Sequence, residues 1–281
     1  MKYIKELLST GTGTVGTLLI PQRIYDTMIE ETEKALISRS EAGWVLTGFE
    51  GSNIVLNLET ANTLDVRVVG EGAEIPIDQQ EYTTTTLTPL KYGVSLRITR
   101  EMLEDAQWNL LDRNLKIAGK RFAENETSLI LTALDGAANT VSGGASITIA
   151  NITRAIQYLR DSDYNPTTLF IGNEVLYDLM NIDTFVEADK AGTTEMLRNG
   201  YAGRIFGLNV LNFSTNAAPS TTYSKYAYVT DRQNAYAIAE KRPISVERYE
   251  LPQYDQSAVS VTQRIKVSAI RTSAICNITT S

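Results

Sequence analysis

The segment Leu87-Thr-Pro-Leu-Lys-Tyr-Gly-Val-Ser-Leu-Arg-Ile-Thr99 decides the architecture, because its apolar and polar residues alternate from position 90 onward. A period of two is typical of a β-strand with one buried face, since successive side chains point to opposite faces of a sheet. We therefore expect a strand over residues 87–98. Thr99 then stands at a helix N-cap position and Glu101 lies in the first turn, where a negative charge is favourable, so a short helix should follow through Ala106.

A long helix is predicted next. From Asn109 to about Leu134 the apolar residues fall at three- and four-residue steps, and Gly136 supplies a stop. At about 1.5 Å per residue such a helix is a rod of roughly 39 Å. Glu126 interrupts the apolar stripe. We interpret it as an edge position that reaches solvent rather than as an acid catalyst, because the chain has no histidine to serve as a proton partner.

On its N-terminal side, the strand is preceded by a β-rich segment with little core of its own. Strand patterns occur at Ile54–Leu58 and Leu64–Val69, and the stretch Ala73–Thr86 is polar, with a run of consecutive threonines. This pattern predicts a long β-rich excursion from Ile54 to Tyr92, which is costly to order in an isolated monomer because little burial offsets the lost entropy. A helix that ends near residue 39 should precede it.

Residues 148–239 switch to alternating helix and strand patterns, which is typical of a compact α/β lobe. The predicted elements are a helix near Ile152–Arg160, a strand at Leu169–Ile171, a helix from Asn173 to Met180, and strands near Val210, Tyr226–Val229 and Ala235–Ala239. The stretch Asp189–Gly207 has no strong periodicity and is interpreted as a long surface loop. Two strands, Ile244–Tyr249 and Val259–Ile270, are expected to close the chain.

The composition excludes most enzyme classes. The 281 residues include no histidine and one cysteine, Cys276, which excludes catalysis through histidine pairs and zinc sites built on histidine and cysteine clusters. We therefore expect no catalytic residue, no cofactor and no metal. Residues Gly11–Gly16 match the GxGxxG fingerprint, but no strand feeds it and no long helix leaves it directly, so a nucleotide site is not expected.

Charge and hydropathy exclude two further classes of protein. The net charge of −7 has the wrong sign for a protein that holds nucleic acid mainly through phosphate contacts. No segment approaches the ~20 consecutive apolar residues that a membrane span needs. We therefore expect neither sequence-specific binding of nucleic acid nor a membrane partner.

Six stretches carry a resemblance to a known family. In chain order they are Gly16-Thr-Leu-Leu-Ile-Pro21, Gly70-Glu-Gly-Ala-Glu-Ile-Pro76, Leu87-Thr-Pro-Leu-Lys-Tyr92 running into Ile98-Thr-Arg-Glu-Met-Leu-Glu-Asp105, Ile205-Phe-Gly-Leu-Asn-Val210, Tyr228-Val-Thr-Asp231 and Ala235-Tyr-Ala-Ile-Ala239. No single motif is diagnostic. Their order and spacing resemble the major capsid proteins of tailed bacteriophages and related archaeal viruses, which have the Hong Kong 97-like capsid fold.

The resemblance implies an α+β phage major-capsid fold with four parts. These are an N-terminal arm and helix at 1–50, a long β-hairpin E-loop at 51–98, a peripheral P-domain at 99–147 and 240–281 with a long spine helix, and an α/β axial A-domain at 148–239. On this assignment the long helix of residues 109–134 is the spine of the P-domain.

The resemblance also implies a function without catalysis. The chain would self-assemble through hexamers and pentamers into an icosahedral shell that encloses the viral double-stranded DNA genome. The expected partners are other copies of the chain, a portal and packaged DNA without sequence-specific contact. Because Met1 begins almost at the arm, we also expect either a separate scaffolding protein or a chain from which a scaffolding segment is already trimmed. Assembly in the host cytoplasm would place the protein in the virion capsid. The alternative with the same fold is an encapsulin-like nanocompartment shell that encloses a cargo enzyme.

Charged residues are the candidates for an assembly interface. They are Arg67, Glu71, Glu74 and Asp78 around the tip of the E-loop, and Arg100, Arg113, Lys116, Lys120 and Arg121 on the P-domain of an adjacent subunit. The alternative is that these are ordinary surface charges, worth less than ~1 kcal/mol per pair. Trp44 and Trp108 are expected in the core rather than at an interface.

The resemblance bears on covalent cross-linking as well. In some family members a lysine of the E-loop forms an isopeptide bond with an asparagine of a neighbouring subunit, assisted by a glutamate. No lysine lies between Lys34 and Lys91, so this E-loop lacks the nucleophile at its tip. We expect no autocatalytic cross-link and a shell that rests on non-covalent contacts.

Overall fold

The computed structural model describes residues 39–61, 64–99, 101, 110–182, 204–213 and 218–280. This part of the chain has a mixed α+β fold with three sheets. Its helices are α1 (Leu110–Leu134), α2 (Ile149–Asp161) and α3 (Asn173–Met180). Its strands are β1 (Trp44–Thr47), β2 (Ile54–Ala61), β3 (Glu81–Leu87), β4 (Leu90–Thr99), β5 (Asn139–Gly144), β6 (Thr168–Ile171), β7 (Arg204–Ile205), β8 (Leu208–Asn212), β9 (Tyr226–Thr230), β10 (Tyr236–Leu251), β11 (Gln256–Ala269) and β12 (Ile275–Thr280).

A four-stranded sheet in the order β1-β10-β11-β4 packs against α1. Strands β4 and β11 are antiparallel, with Leu96 opposite Val259. Leu115 and Phe122 of α1 form a core cluster with Val259, and Leu96 packs against it. The strand itself is confirmed, but its apolar face is only partly covered in the subunit: Tyr92 and Leu96 are half-buried against this cluster, whereas Leu90 and Val94 are 54 % and 37 % exposed. The long helix is also confirmed, because α1 spans 25 residues.

A second sheet has six strands in the order β5-β12-β9-β6-β8-β7. It contains the strands predicted near residues 169–171, 210 and 226–229, and α2 and α3 match the two predicted helices. The α2 residues Ile152 and Leu159 are fully buried in one core cluster with Val229 of β9 and Ile278 of β12. The last strand of the chain therefore belongs to this sheet, parallel to β5 and antiparallel to β9.

The sequence pattern does not predict β1, β5 or β12. Strand β5 reads Asn-Thr-Val-Ser-Gly-Gly, a composition poor in strand formers. It is a strand because β12 lies beside it in parallel register, with Cys276 opposite Asn139. Strand β1 likewise depends on parallel pairing with β10, where Trp44 lies opposite Ala237. In each case the partner is distant in sequence, so local periodicity gives no signal.

Two predicted strand boundaries differ from the structure, both at prolines. The strand expected over 87–98 is divided, because Pro89 has no N–H to donate to a sheet. Strand β3 ends at Leu87, and β4 begins at Leu90. Conversely, the two strands predicted on either side of Pro243 are one strand, β10. Register shifts on both sides of Arg242 allow β10 to continue past this proline.

Strands β2 and β3 form a separate two-stranded hairpin. The threonine run pairs with β2, with Thr83 opposite Leu58 and Thr86 opposite Val55, which suits the β-branched side chain. The strand predicted at Leu64–Val69 is wrong. These residues have no regular secondary structure and are exposed, because the hairpin pairing ends at Ala61 opposite Glu81.

Two expectations about single side chains are wrong. Trp44 is 42 % exposed rather than in the core, because β1 is the edge strand of its sheet. Glu126 does not reach solvent, since only 2 % of it is exposed. Arg39 donates to both of its carboxylate oxygens. Trp108 lies outside the described residues.

Several predicted features lie outside the described residues. They are the Gly11–Gly16 stretch, the helix that ends near residue 39, most of the short helix at 99–106, and residues 189–203 of the surface loop. Within the described ranges, no helix is long and apolar enough to cross a membrane.

Thr168→Val is expected to lower the free energy of unfolding by about 2 kcal/mol. Thr168 is fully buried in β6, and its hydroxyl donates to Oε2 of Glu41 at 2.7 Å. Valine keeps the shape of threonine but leaves the buried carboxylate short of a donor. Equilibrium urea unfolding of this variant would be compared with that of Thr168→Ser, which keeps the hydroxyl and should lose less stability. The reverse order of the two midpoints would contradict this role of the hydroxyl.

Candidate assembly surface

Residues 64–80 lie between β2 and β3, and we call them the distal loop. Its apolar side chains are about as exposed as in an extended chain: Val66 is 101 %, Val68 103 % and Ile77 94 % exposed. Leu64 and Ile75 are also more than half exposed. Apolar area in contact with water costs about 25 cal/mol per Å² relative to burial. The distal loop is therefore an apolar surface that the single subunit leaves uncovered.

Two of the predicted charges of the distal loop pair with each other. Nη2 of Arg67 lies 3.3 Å from Oδ1 of Asp78, and its Nε lies 3.0 Å from Oδ2 of Asp65. The backbone N–H of Asp65 also donates to Oδ2 of Asp78 at 3.1 Å. These contacts join the two legs of the loop, so Arg67 and Asp78 shape it. Glu71 and Glu74 are exposed at its tip.

The tip of the distal loop is a tight turn. The backbone N–H of Ala73 donates to the carbonyl oxygen of Gly70 at 3.0 Å. Gly72 has a φ of 78°, a value that L side chains rarely adopt. The turn therefore fixes the backbone positions of Glu71 and Glu74 at the tip of the loop.

The basic residues predicted on the long helix share an exposed side of α1. Arg113, Lys116 and Lys120 follow one another at steps of three and four residues, which places them on a common helix face. Ile117 lies among them and is 51 % exposed. This face therefore has an apolar centre with cationic side chains around it.

The remaining predicted positions are less available for a partner. Nζ of Lys120 lies 3.9 Å from Oε1 of Glu124, and Nη1 of Arg121 lies 2.9 Å from Oε2 of the same carboxylate. Arg100 lies outside the described residues. The structure thus leaves Arg113 and Lys116 as the predicted helix cations that form no ion pair among the described residues.

The two predicted sets of charges do not meet within one chain. Among the described residues, the ion pairs of the distal loop stay within the loop, and those of Lys120 and Arg121 stay within α1. Both surfaces combine exposed apolar side chains with charge, acidic at the loop tip and basic on the helix. They are complementary in chemistry.

The apolar residues of the distal loop are candidates that the sequence interpretation missed. The stretch Leu64–Val69 alternates like a strand, whereas in the structure it forms no strand and its apolar side chains are exposed. A signal was present in the polar stretch Ala73–Thr86, which offers no core for such a strand to cover. An apolar segment without an internal partner indicates an external one.

Neither a metal-binding cluster nor a reactive thiol is found among the described residues. Within them, no group of three or more histidine, cysteine, aspartate or glutamate residues is placed to hold a metal ion. Burial raises the pKa of the Cys276 thiol to about 12. The thiol is therefore protonated at neutral pH and a poor nucleophile.

The fold is similar to those of solved capsid subunits. The capsid of a native GTA particle has a TM-score of 0.67 at 15 % identity, covering 88 % of this chain and 90 % of that chain. The structure from Gordonia phage Cozz has a TM-score of 0.67 at 13 % identity, covering 88 % of this chain and 86 % of that chain. The mature capsid of bacteriophage PhiM1 has a TM-score of 0.66 at 10 % identity, and the match covers 86 % of each chain. The class of fold is thus that of phage capsid subunits.

Sequence comparison identifies the family. A family model described as phage capsid protein matches residues 81–278. This range is more than half of the 281 residues, so the chain belongs to the phage capsid protein family. No curated protein matches the chain significantly. The protein is a structural component of the virion capsid and not an enzyme, which confirms the resemblance described above.

Proposed function

We propose that this capsid protein self-assembles through hexamers and pentamers into an icosahedral shell that encloses the double-stranded DNA genome of the virus. One observation carries the proposal. The distal loop presents Val66, Val68 and Ile77 almost completely to water, an arrangement that makes physical sense only if another subunit covers them.

The proposed subdomains follow the sequence assignment of an arm at 1–50, an E-loop at 51–98, a P-domain at 99–147 and 240–281, and an A-domain at 148–239. The β2–β3 hairpin with the distal loop is the proposed E-loop. Helix α1, β11 and most of β10 lie in the proposed P-domain, where β1 from the arm segment and β4 from the E-loop segment complete the four-stranded sheet. The six-stranded sheet lies in the proposed A-domain, where β5 and β12 from the flanking segments join it.

We further propose that the distal loop of one subunit lies on α1 of its neighbour. The carboxylates of Glu71 and Glu74 would face Arg113 and Lys116, and the loop's apolar side chains would cover Ile117. Each exposed ion pair would contribute less than ~1 kcal/mol. Burial of the apolar area supplies most of the stabilisation of this contact, and the charges determine where along α1 the loop binds.

A charge exchange tests this contact. Glu71→Lys with Glu74→Lys is expected to shift the protein from shells to small species in light scattering, because like charges would then face each other across the contact. Adding Arg113→Glu and Lys116→Glu should restore assembly. Asp161→Lys with Glu247→Lys changes the net charge by the same amount and is the matched control. Shells formed equally well by the loop variant would contradict the proposed contact.

The proposed contents and partners come from the family and from the net charge of −7. DNA driven in through a portal need not be held by the wall, and a weakly repulsive lining would avoid trapping it. A separate scaffolding protein and assembly in the host cytoplasm complete the proposal. Shells that contain nuclease-protected DNA would support it, whereas shells that contain only a protein cargo would support the nanocompartment alternative.

A further inference from the structure

The four-stranded sheet has a second face, which lies away from α1. Val259 and Val261 of β11 pack in one core cluster with Leu115 of α1, so the residues that alternate with these valines lie on the opposite face. Ser95 of β4 and Tyr249 of β10 meet on that face, with their hydroxyl oxygens 3.0 Å apart. Both residues are exposed, so this face is open to a partner.

Three cationic residues lie side by side on this face. Arg264 of β11 is directly opposite Arg242 of β10 and directly opposite Lys91 of β4. We call these three residues the cationic row, and Lys266 lies on the same face two residues further along β11. Like charges directly opposite each other destabilise a sheet, because their Cβ atoms are only about 4.5–5.5 Å apart. The row is therefore unfavourable in the single subunit, and a bound anion would relieve it.

The cationic row has no acidic partner among the described residues. Every ion pair within this part of the chain involves another cation. Arg242 donates instead to the hydroxyl oxygen of Thr262 at 2.9 Å, and Arg264 donates to the carbonyl oxygen of Pro89 at 3.4 Å. Lys91 is exposed. The sheet face is thus locally cationic in a chain whose net charge is −7.

The contact proposed between the distal loop and α1 is not sufficient to close a shell. In that contact each subunit contributes one loop and receives one loop, so its repetition gives a ring or an open filament. A surface that extends in two dimensions also needs contacts between rings. A second, independent assembly surface is therefore required.

We propose that the cationic row is this second surface and that it binds carboxylates of a second copy of the chain in a neighbouring ring. The inference rests on the proposed function. A second copy has the required charge, because the chain has 33 acidic and 26 basic residues. The row also reaches the edge strand β4, where Leu90 and Val94 are exposed on the other face. Cations beside exposed apolar side chains suit a protein partner, since a DNA backbone is contacted mainly through its phosphates and sugars.

Arg264→Glu tests the proposal by light scattering. The variant places a carboxylate between the two remaining cations of the row, so it removes most of the positive charge that a neighbour would meet. Because the loop contact is intact, assembly should stop at rings of five or six chains, while the wild type continues to shells. Arg160→Glu, at an exposed position of α2, makes the same change in net charge and should form shells.

The same variant separates a lost contact from a damaged fold. A carboxylate between Arg242 and Lys91 relieves the repulsion along the row, so the melting temperature of the unassembled variant should be no lower than that of the wild type. A variant that stops at rings with an undiminished melting temperature would show that the row acts between subunits. A lowered melting temperature together with a loss of rings would show that the row stabilises the single subunit, and would overturn the proposal.

A carbodiimide crosslinker identifies what the row binds, because it couples a lysine ammonium group to a carboxylate in contact with it. Shells assembled from heavy-isotope-labelled and unlabelled chains should give mixed-isotope peptides that join Lys91 or Lys266 to a carboxylate. Lys120, whose Nζ lies 3.9 Å from Oε1 of Glu124 in the same chain, is the positive control for the reagent. Lys91→Arg keeps the charge and should assemble, but its crosslink should be lost.

Three results would overturn the proposal. The first is full shells from Arg264→Glu, and the second is a Lys120 crosslink without any crosslink between chains at Lys91 or Lys266. The third is a DNA duplex that binds the wild-type subunit but not Arg264→Glu in the absence of those crosslinks, which would assign the row to packaged DNA. A wild type that forms neither rings nor shells would overturn the proposed function as well, whereas wild-type shells with an unaffected variant would overturn this inference alone.

Discussion

Val66→Asp combined with Val68→Asp is expected to abolish shell formation while the subunit folds with unchanged stability. Both side chains are fully exposed in the subunit, at 101 % and 103 %, so the free energy of unfolding should change by less than about 0.5 kcal/mol per site. In the proposed contact the same positions are covered by a neighbour. A buried carboxylate without a partner costs several kcal/mol, and the cost recurs at every copy of the contact.

Light scattering followed by negative-stain microscopy would measure assembly, and thermal unfolding of the small species would measure subunit stability. Val66→Ile with Val68→Ile is the matched control, because it keeps an apolar surface of similar shape and should assemble. Normal shells from the aspartate variant would show that the distal loop is not covered by another subunit. A lowered melting temperature would show that these side chains pack within the subunit after all.

The parts of the fold that could be predicted from sequence are those whose pattern is local. Tyr92 and Leu96 of the alternating strand β4 pack against the spaced apolar residues of α1, so the period itself identifies both elements. Strands β5 and β12 lacked such a signal. They pair with each other although more than a hundred residues of chain separate them. A polar, glycine-containing segment such as β5 can therefore be identified as a strand only when its partner is known.

The same limit applies to single side chains. Glu126 occupies an apolar position of the α1 stripe, and periodicity alone suggests an edge that reaches solvent. It is buried because Arg39, 87 residues earlier, places a guanidinium beside it. The charges of the distal loop show the reverse. The sequence predicts that Arg67 and Asp78 pair with charges on an adjacent subunit, but they lie 3.3 Å from each other across the two legs of the loop.

Gly172→Ala is expected to cause the largest loss of stability for the smallest change of side chain. Gly172 precedes α3, and a Cβ there would lie 2.2 Å from the carbonyl oxygen of Ser224 and 2.6 Å from its carbonyl carbon. Both are backbone atoms, so no side-chain rotation can relieve the overlap. We expect the free energy of unfolding to fall by about 3 kcal/mol, seen as a lower urea midpoint of the unassembled subunit.

The loss should be this large because hydrogen bonds hold the segment around Gly172 against the segment around Ser224 on both sides of the close approach. The N–H of Gly172 donates to the carbonyl oxygen of Tyr226 at 3.1 Å, and the hydroxyl of Ser224 donates to Glu174 at 2.7 Å. Relief of the overlap must therefore break one of these bonds. Gly136→Ala is the control, since its Cβ would meet nothing nearer than the carbonyl oxygen of Ala133 at 3.5 Å. Equal midpoints for the two variants would mean that Ser224 can withdraw without cost, and that β6 and the segment before β9 are held together less tightly than these contacts require.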